Sequence, residues 1–139
     1  MTEASEWTVT LSHPGSRRHF ALPVGFAKRG KLAAVATDFA GDSVIARRFL
    51  HAHPKVKSYL MRLQGLNARS DIISALCVRA VQKGLPHSKL RVQSERWQSA
   101  RLARLALKGT SHAQGVRIAF GFDVSSLEFF QGAKRKGFT

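Results

Sequence analysis

Acidic residues are scarce in this sequence, and cysteine is nearly absent. Eight Asp and Glu side chains stand against 23 Lys and Arg, so the 139 residues carry a formal net charge of +15 at pH 7. A surface of that sign attracts nucleic acid, an acidic membrane or phosphorylated substrates, and the charge does not choose among them. A basic protein with none of these partners is an equally open interpretation.

The one cysteine, Cys77, excludes an internal disulfide and favours a reducing compartment. Because it lies in an apolar helical stretch, we expect a buried, unreactive thiol. Residues 1–6 have neither the basic start nor the apolar core of a signal peptide. No apolar run approaches the roughly 18 residues of a membrane-spanning helix. We therefore expect a cytoplasmic protein, peripheral at most at the inner face of a membrane.

Several motifs of catalysis and cofactor binding are missing as well. His51 and His53 are the only closely spaced pair of histidines, and no Cys-x-x-Cys or His-Glu-x-x-His spacing occurs, so no metal site is predicted. A Gly-x-Ser-x-Gly elbow, which hydrolases use, does not occur. Neither Gly-x-Gly-x-x-Gly nor the Walker lysine motif occurs, which leaves a standard dinucleotide or ATP site unsupported.

The first forty residues have the pattern of a βαβ unit. An apolar run at 7–11 enters a turn at 12–16, a helical stretch at 17–29 stops at Gly30, and a second apolar run occupies 32–37. In open α/β sheets, ligands bind at the carboxyl ends of the strands. The turn at 12–16 is therefore the first place to expect a binding site.

Within that turn, Gly15 would let the backbone approach a ligand, and the following helix N-terminus favours an anion. Arg17 and Arg18 would add positive charge. The competing interpretation, which the motif alone favours, is a plain turn with solvated arginines.

The middle of the chain, residues 43–109, is predicted to be helical and basic. One helix after Ser70-Asp71 would bury a single apolar face, comprising Ile72, Ile73, Leu76, Ala80 and Val81. Another would begin at Ser94-Glu95 and end at Gly109. Its Arg101, Arg104 and Lys108 share one face, which is either an anion-binding stripe or a solvated surface. Residues 85–93 fit no single pattern.

The last quarter of the chain predicts one further βα unit. Residues 116–120 form a strand candidate, and Ser125 with Glu128 makes a capping box for a helix that stops at Gly137. No further strand follows, so we expect residues 116–120 to be an edge strand. We also expect the chain to be truncated.

Five segments together carry a family resemblance. In chain order they are His13-Pro14-Gly15, the second apolar run with Asp38-Phe39, Phe120-Gly121-Phe122-Asp123, Ser126-Leu127-Glu128-Phe129-Phe130 and Ala133-Lys134-Arg135-Lys136-Gly137. In this order and spacing they resemble the N-terminal half of bacterial family 4 glycosyltransferases, which have the GT-B fold. The resemblance spans most of the chain, from Trp7 to Thr139.

The resemblance implies an α/β fold: a Rossmann-like parallel sheet flanked by helices, in a single domain over 1–139, with a helical insert between the second and third strands. This half contributes acceptor binding, and the acceptor is a glycan or a lipid-linked glycan. The basic segment 43–109 would face the acceptor. Nothing matches the family's C-terminal half with its paired glutamates. We therefore expect no cofactor in this chain and a nucleotide-sugar donor held by a missing domain or second chain, without which the chain is inactive.

The candidate substrate-binding residues follow from the turn and the resemblance together. The resemblance places His13, Gly15 and Ser16 in the cleft and Gly121 and Asp123 at the mouth of a later strand; Arg17 joins them through its charge. No catalytic residue and no metal ligand is assigned.

Two further hypotheses follow from the charge. The first is a small, non-catalytic nucleic-acid-binding protein, although no helix-turn-helix, zinc finger or aromatic-interleaved motif is present, and Phe120, Phe122, Phe129 and Phe130 have the pattern of core residues. The second is docking of the basic segment on an anionic membrane surface.

Overall fold

Four parallel strands form an open sheet in the computed structural model, which describes residues 7–13, 21–38, 40, 48, 63–110, 115–121 and 126–139. The strands are β1 (Trp7–His13), β2 (Leu32–Thr37), β3 (Ala68–Ser70) and β4 (Val116–Gly121), in the spatial order β3-β2-β1-β4. The helices are α1 (Ala21–Lys28), α2 (Ile72–Gly84), α3 (Lys89–Gly109) and α4 (Leu127–Arg135). The predicted class, α/β with a parallel sheet flanked by helices, is confirmed.

Strand β3 lies inside the segment 43–109, which is predicted to be helical, and the strand at residues 68–70 is not predicted. The strand is only three residues long and lacks an apolar alternation. Asn67 positions it, because its side-chain amide donates to the carbonyls of Ala33 (2.7 Å) and Gly109 (3.1 Å) while its own carbonyl accepts from Val35. Of the segment 43–109 that is predicted to be helical, residues 43–47 and 49–62 lie outside the described residues.

The predicted glycine stops of α1 and α4 are confirmed. Gly30 and Gly137 have φ angles of 64° and 73°, the left-handed conformation that glycine adopts without strain. The N–H of the residue after each glycine donates to a carbonyl in the last helical turn, at 2.9 Å and 3.1 Å. Both helices thus end in a Schellman motif.

The predicted helix starts are less accurate. Helix α3 begins at Lys89, with Ser88 as its N-cap, and not at Ser94. The Ser94 hydroxyl instead donates to the Arg91 carbonyl inside the helix, a bond that a serine makes equally well in mid-helix. Helix α4 has Ser126 as its N-cap residue and shows no side-chain capping bond; the predicted cap, Ser125, lies outside the described residues.

Helices cover both faces of the sheet. Helix α1 lies on one face, where Phe26 packs against Val9, Leu11 and Val35. Helices α3 and α4 lie on the other, around a cluster of Ala36, Leu102, Ala103, Ala106, Leu107, Phe129 and Ala133. Gly109 allows α3 to approach the sheet, since a methyl group there would lie 2.6 Å from Ala34 Cβ. The tight packing fixes α3 along β2.

Helix α2 buries a different face from the one predicted. Ile72, Ala75 and Val78 are buried, whereas Ile73 is 63% exposed and Leu76 41% exposed. The cause is that α2 packs mainly against α3, and this packing leaves Ile73 and Leu76 outside the contact. The prediction of a buried Cys77 thiol is wrong, because Cys77 lies on the exposed face.

Strand β4 lies at one edge of the described sheet, as predicted. After α4 the chain returns to it, and the N–H of Thr139 donates to the Arg117 carbonyl at 2.9 Å. The Arg117 guanidinium donates to the Lys136 carbonyl and lies 4.8 Å from the centre of the Phe138 ring. These contacts cover part of the edge.

Candidate binding site at the carboxyl edge of the sheet

The strand registers bring the predicted ends of β1 and β4 together. His13 pairs with Thr37 of β2, and the preceding Ser12 pairs with Gly121 of β4. From β1 the chain turns to β2 on one side, while β4 lies on the other side, so the strand order reverses between β1 and β4. Ligands of open α/β sheets bind in the crevice at such a reversal.

Two of the six candidate residues, His13 and Gly121, therefore end neighbouring strands at this reversal. The other four lie outside the described residues: Gly15, Ser16, Arg17 and Asp123. The structure thus leaves those four as predictions.

Gly121 also has a packing role. A methyl group at this position would lie 2.6 Å from Ser126 Cβ and 3.3 Å from Phe130 Cζ. The first distance is shorter than any that real Cβ atoms show and the second is tight, so glycine is what allows the start of α4 to pack against the end of β4. Ser126 is itself 4% exposed.

A polar pair that the sequence did not single out as a contact lies at the end of β2. The Gln98 side chain, 8% exposed on α3, donates to Asp38 Oδ1 at 3.0 Å. Asp38 directly follows β2 and belongs to one of the segments that carry the resemblance. The signal available in the sequence was therefore Asp38; its partner is 60 residues away and has no local signal.

A second pair lies at the end of β3, where Asp71 caps α2. Asp71 Oδ1 accepts from the Ser74 N–H at 3.2 Å, and Asp71 Oδ2 accepts from the Arg101 guanidinium. Burial opposes ionisation of Asp71, but the hydrogen bonds from Arg101 and Ser74 outweigh it and lower its pKa below 3.8.

Arg101, Arg104 and Lys108, predicted to form one stripe, therefore do not act as one surface. Arg101 serves Asp71 and stacks 5.2 Å from the centre of the Trp97 ring. Arg104 and Lys108 line an open groove of about 470 Å³ between α3 and α4, together with Arg135 and Lys136. Glu128 is the acidic residue of that groove.

The chemistry available at the carboxyl edge is hydrogen bonding. Ser12, Thr37 and Ser126 bring hydroxyl groups to the strand ends, each of them buried. Across the described ranges, no three His, Cys, Asp or Glu side chains group closely enough to hold a metal ion. A search of the same ranges finds no helix that is long and apolar enough to cross a bilayer.

No protein-family model, curated protein or solved structure matches the chain. The family resemblance therefore rests on the sequence segments, and the fold rests on the structure.

Proposed function

We propose that this chain is the acceptor-binding half of a glycosyltransferase that transfers a sugar from a nucleotide-sugar to a glycan or a lipid-linked acceptor. The observation that carries the proposal is the reversal of strand order between β1 and β4. His13 and Gly121, which two of the resembling segments contain, end the two strands at that point. Hydrogen-bonding groups in a crevice at this reversal would suit the hydroxyl groups of a sugar.

In this proposal the chain does not catalyse the transfer alone. The donor nucleotide-sugar and its catalytic groups belong to a second domain or a second chain across the cleft, and the enzyme works in the cytoplasm. His13, Gly15, Ser16 and Arg17 would line the acceptor side of the cleft, with Gly121 and Asp123 at the mouth of a later strand.

Acceptor binding can be tested on the chain itself by titrating the ¹⁵N-labelled protein with soluble glycans and recording amide chemical shifts. We expect shifts at Ser12, His13 and Gly121, because these residues lie at the ends of β1 and β4, where the strand order reverses. A nucleotide-sugar alone should leave the spectrum unchanged, because its site lies elsewhere.

Two histidine variants provide the matched pair for this titration. His13→Ala should weaken glycan binding about tenfold or more, the effect of losing a hydrogen bond to a sugar hydroxyl and leaving its partner unpaired. His87→Ala changes an exposed histidine between α2 and α3 and should have no effect. Glycan shifts confined to other surfaces, or no binding by any glycan tested, would contradict the proposal.

A second candidate function, nucleic-acid binding, is favoured by one observation. The groove between α3 and α4 carries Arg104, Lys108, Arg135 and Lys136 over an apolar floor. Phe120 and Phe130, expected in the core, are 38% and 45% exposed. Neither ring lines this groove, so it offers charge to a phosphate backbone without a base-stacking platform.

A further inference from the structure

Helices α2 and α3 form an antiparallel hairpin that extends past the sheet. Helix α3 runs opposite to β2: Gln98 contacts Asp38 just beyond the end of β2, and the Gly109 carbonyl shares the Asn67 amide with the start of β2. From Gln98 to Gly109 a helix rises roughly 16 Å, which matches the length of β2 between those contacts. Because the helix is continuous, its first residues, 89–97, lie beyond the carboxyl edge.

Helix α2 lies beside that extension. Arg101 joins Asp71 at the base of the hairpin, and Gln82 Nε2 donates to Glu95 Oε1 at 3.1 Å near its far end. The 13 residues of α2 carry the connecting turn roughly 20 Å from the sheet, at 1.5 Å per residue. The turn at 85–88 is therefore the tip of a protrusion.

The tip exposes two leucines on an ordered turn. Leu85 is 49% exposed and Leu90 is 52% exposed. The Ser88 hydroxyl donates to the Leu85 carbonyl at 2.9 Å, and Arg91 donates to the Pro86 carbonyl at 3.2 Å. These hydrogen bonds fix the conformation of the turn, so both leucines are exposed on an ordered backbone.

Cations flank the two leucines. Lys83 lies in the last turn of α2 and Lys89 begins α3. Both are exposed, and neither forms an ion pair in the part of the chain that the structure describes. Ile73 and Leu76 extend the exposed apolar surface down α2 toward the sheet. Two protruding apolar side chains beside two exposed lysines have the features that bind a protein to an anionic bilayer: the leucines can be buried among the headgroups, and the lysines are attracted to lipid phosphates.

We propose that this tip, residues 83–91, docks the protein on an anionic membrane surface. Leu85 and Leu90 enter the headgroup region, and Lys83 and Lys89 contact lipid phosphates. This docking involves the hairpin alone and is independent of the proposed sugar transfer. Its tests contain no sugar, so the two proposals fail separately.

The first test is co-sedimentation with vesicles of phosphatidylcholine, with and without about 30% phosphatidylglycerol. We expect binding only to the anionic vesicles. Lys83→Glu/Lys89→Glu should weaken vesicle binding more than tenfold, because each lysine near the surface contributes about fivefold. Leu85→Ser/Leu90→Ser should weaken it about tenfold. Leu22→Ser/Leu127→Ser removes two leucines that are 40% and 59% exposed elsewhere and should change binding less than twofold.

The second test separates docking by the tip from adsorption of a protein with a net charge of +15. In a Cys77→Ser background, an environment-sensitive fluorophore is attached through His87→Cys at the tip or through Lys134→Cys on α4. Anionic vesicles should shift the emission of the tip label to the blue and leave that of the α4 label unchanged.

Three results would overturn the proposal. Equal blue shifts at both labels would show adsorption without orientation. Vesicle binding unaffected by Leu85→Ser/Leu90→Ser would remove the leucines from the interface. A concentration-dependent dimer in sedimentation velocity, lost in the same leucine variant while vesicle binding persists, would assign the tip to self-association. Circular dichroism of each variant verifies folding.

Discussion

Gly121 illustrates how a single residue at a candidate site can serve packing. Its missing side chain is what allows Ser126 and Phe130 to lie against the end of β4. Gly121→Ala should lower the free energy of unfolding by about 1–3 kcal/mol, the usual cost of overpacking. Urea unfolding followed by circular dichroism measures the difference.

The control for this substitution is Gly25→Ala, in α1, where an added methyl group meets nothing within 4 Å. It should stabilise the protein by about 0.5–1 kcal/mol, because alanine favours a helix over glycine. Ser126→Gly combined with Gly121→Ala should restore part of the lost stability by removing the closest atoms. Equal effects of Gly121→Ala and Gly25→Ala would contradict the packing argument.

Single residues also show what local sequence can and cannot predict. The stops at Gly30 and Gly137 follow from nearest neighbours, since a Schellman motif needs only a glycine and the last helical turn. Asp38 is visible as the residue after an apolar run. Its partner Gln98 depends on where α3 passes, which no local pattern contains.

At the scale of elements, the buried face of α2 cannot be predicted from the sequence of the helix alone. It carries apolar residues on two opposite faces, and only the position of α3 decides that Ala75 and Val78 are buried while Ile73 and Cys77 are exposed. Strand β3 gave no signal because three residues cannot display an alternation. In both cases a neighbouring element, rather than the segment itself, determines the outcome.

The joint between β3, α2 and α3 provides a prediction at this scale. Asp71 caps α2, accepts from Arg101 and is 6% exposed. Asp71→Asn should cost about 1–2 kcal/mol of unfolding free energy at pH 7, through loss of the charged cap and the ion pair. Denaturant unfolding at a series of pH values tests both the size and the pH dependence.

The direction of the pH dependence follows from the lowered pKa of Asp71. A carboxylate whose pKa is lower in the folded state than its ordinary 3.8 stabilises the fold above pH 3.8 and loses that contribution as the pH falls through the folded value. The gap between wild type and Asp71→Asn should therefore close below pH 3.8. Glu95→Gln, which breaks the exposed pair with Arg91, should cost at most about 0.5 kcal/mol. A gap that stays constant across this range would contradict the assignment.

At the scale of the whole molecule, the net charge of +15 acts on every anionic partner at once. The carboxyl edge, the groove between α3 and α4 and the tip of the hairpin occupy different parts of the surface. Attraction from the summed charge reaches all three, whereas specificity has to come from local geometry. Salt and matched charge reversals separate the two contributions.

Binding of a labelled oligonucleotide duplex tests the contribution of the net charge. Affinity should be independent of sequence and fall roughly 100-fold between about 50 and 200 mM salt, as for about four neutralised phosphates. Arg104→Glu/Arg135→Glu in the groove and Lys28→Glu/Arg29→Glu at the end of α1 each lower the net charge by four. If charge alone is responsible, fluorescence anisotropy will show the two variants weakened by similar factors. Loss confined to the groove variant would support the nucleic-acid function, and tight sequence-selective binding at 200 mM salt would count against the proposed glycosyltransferase.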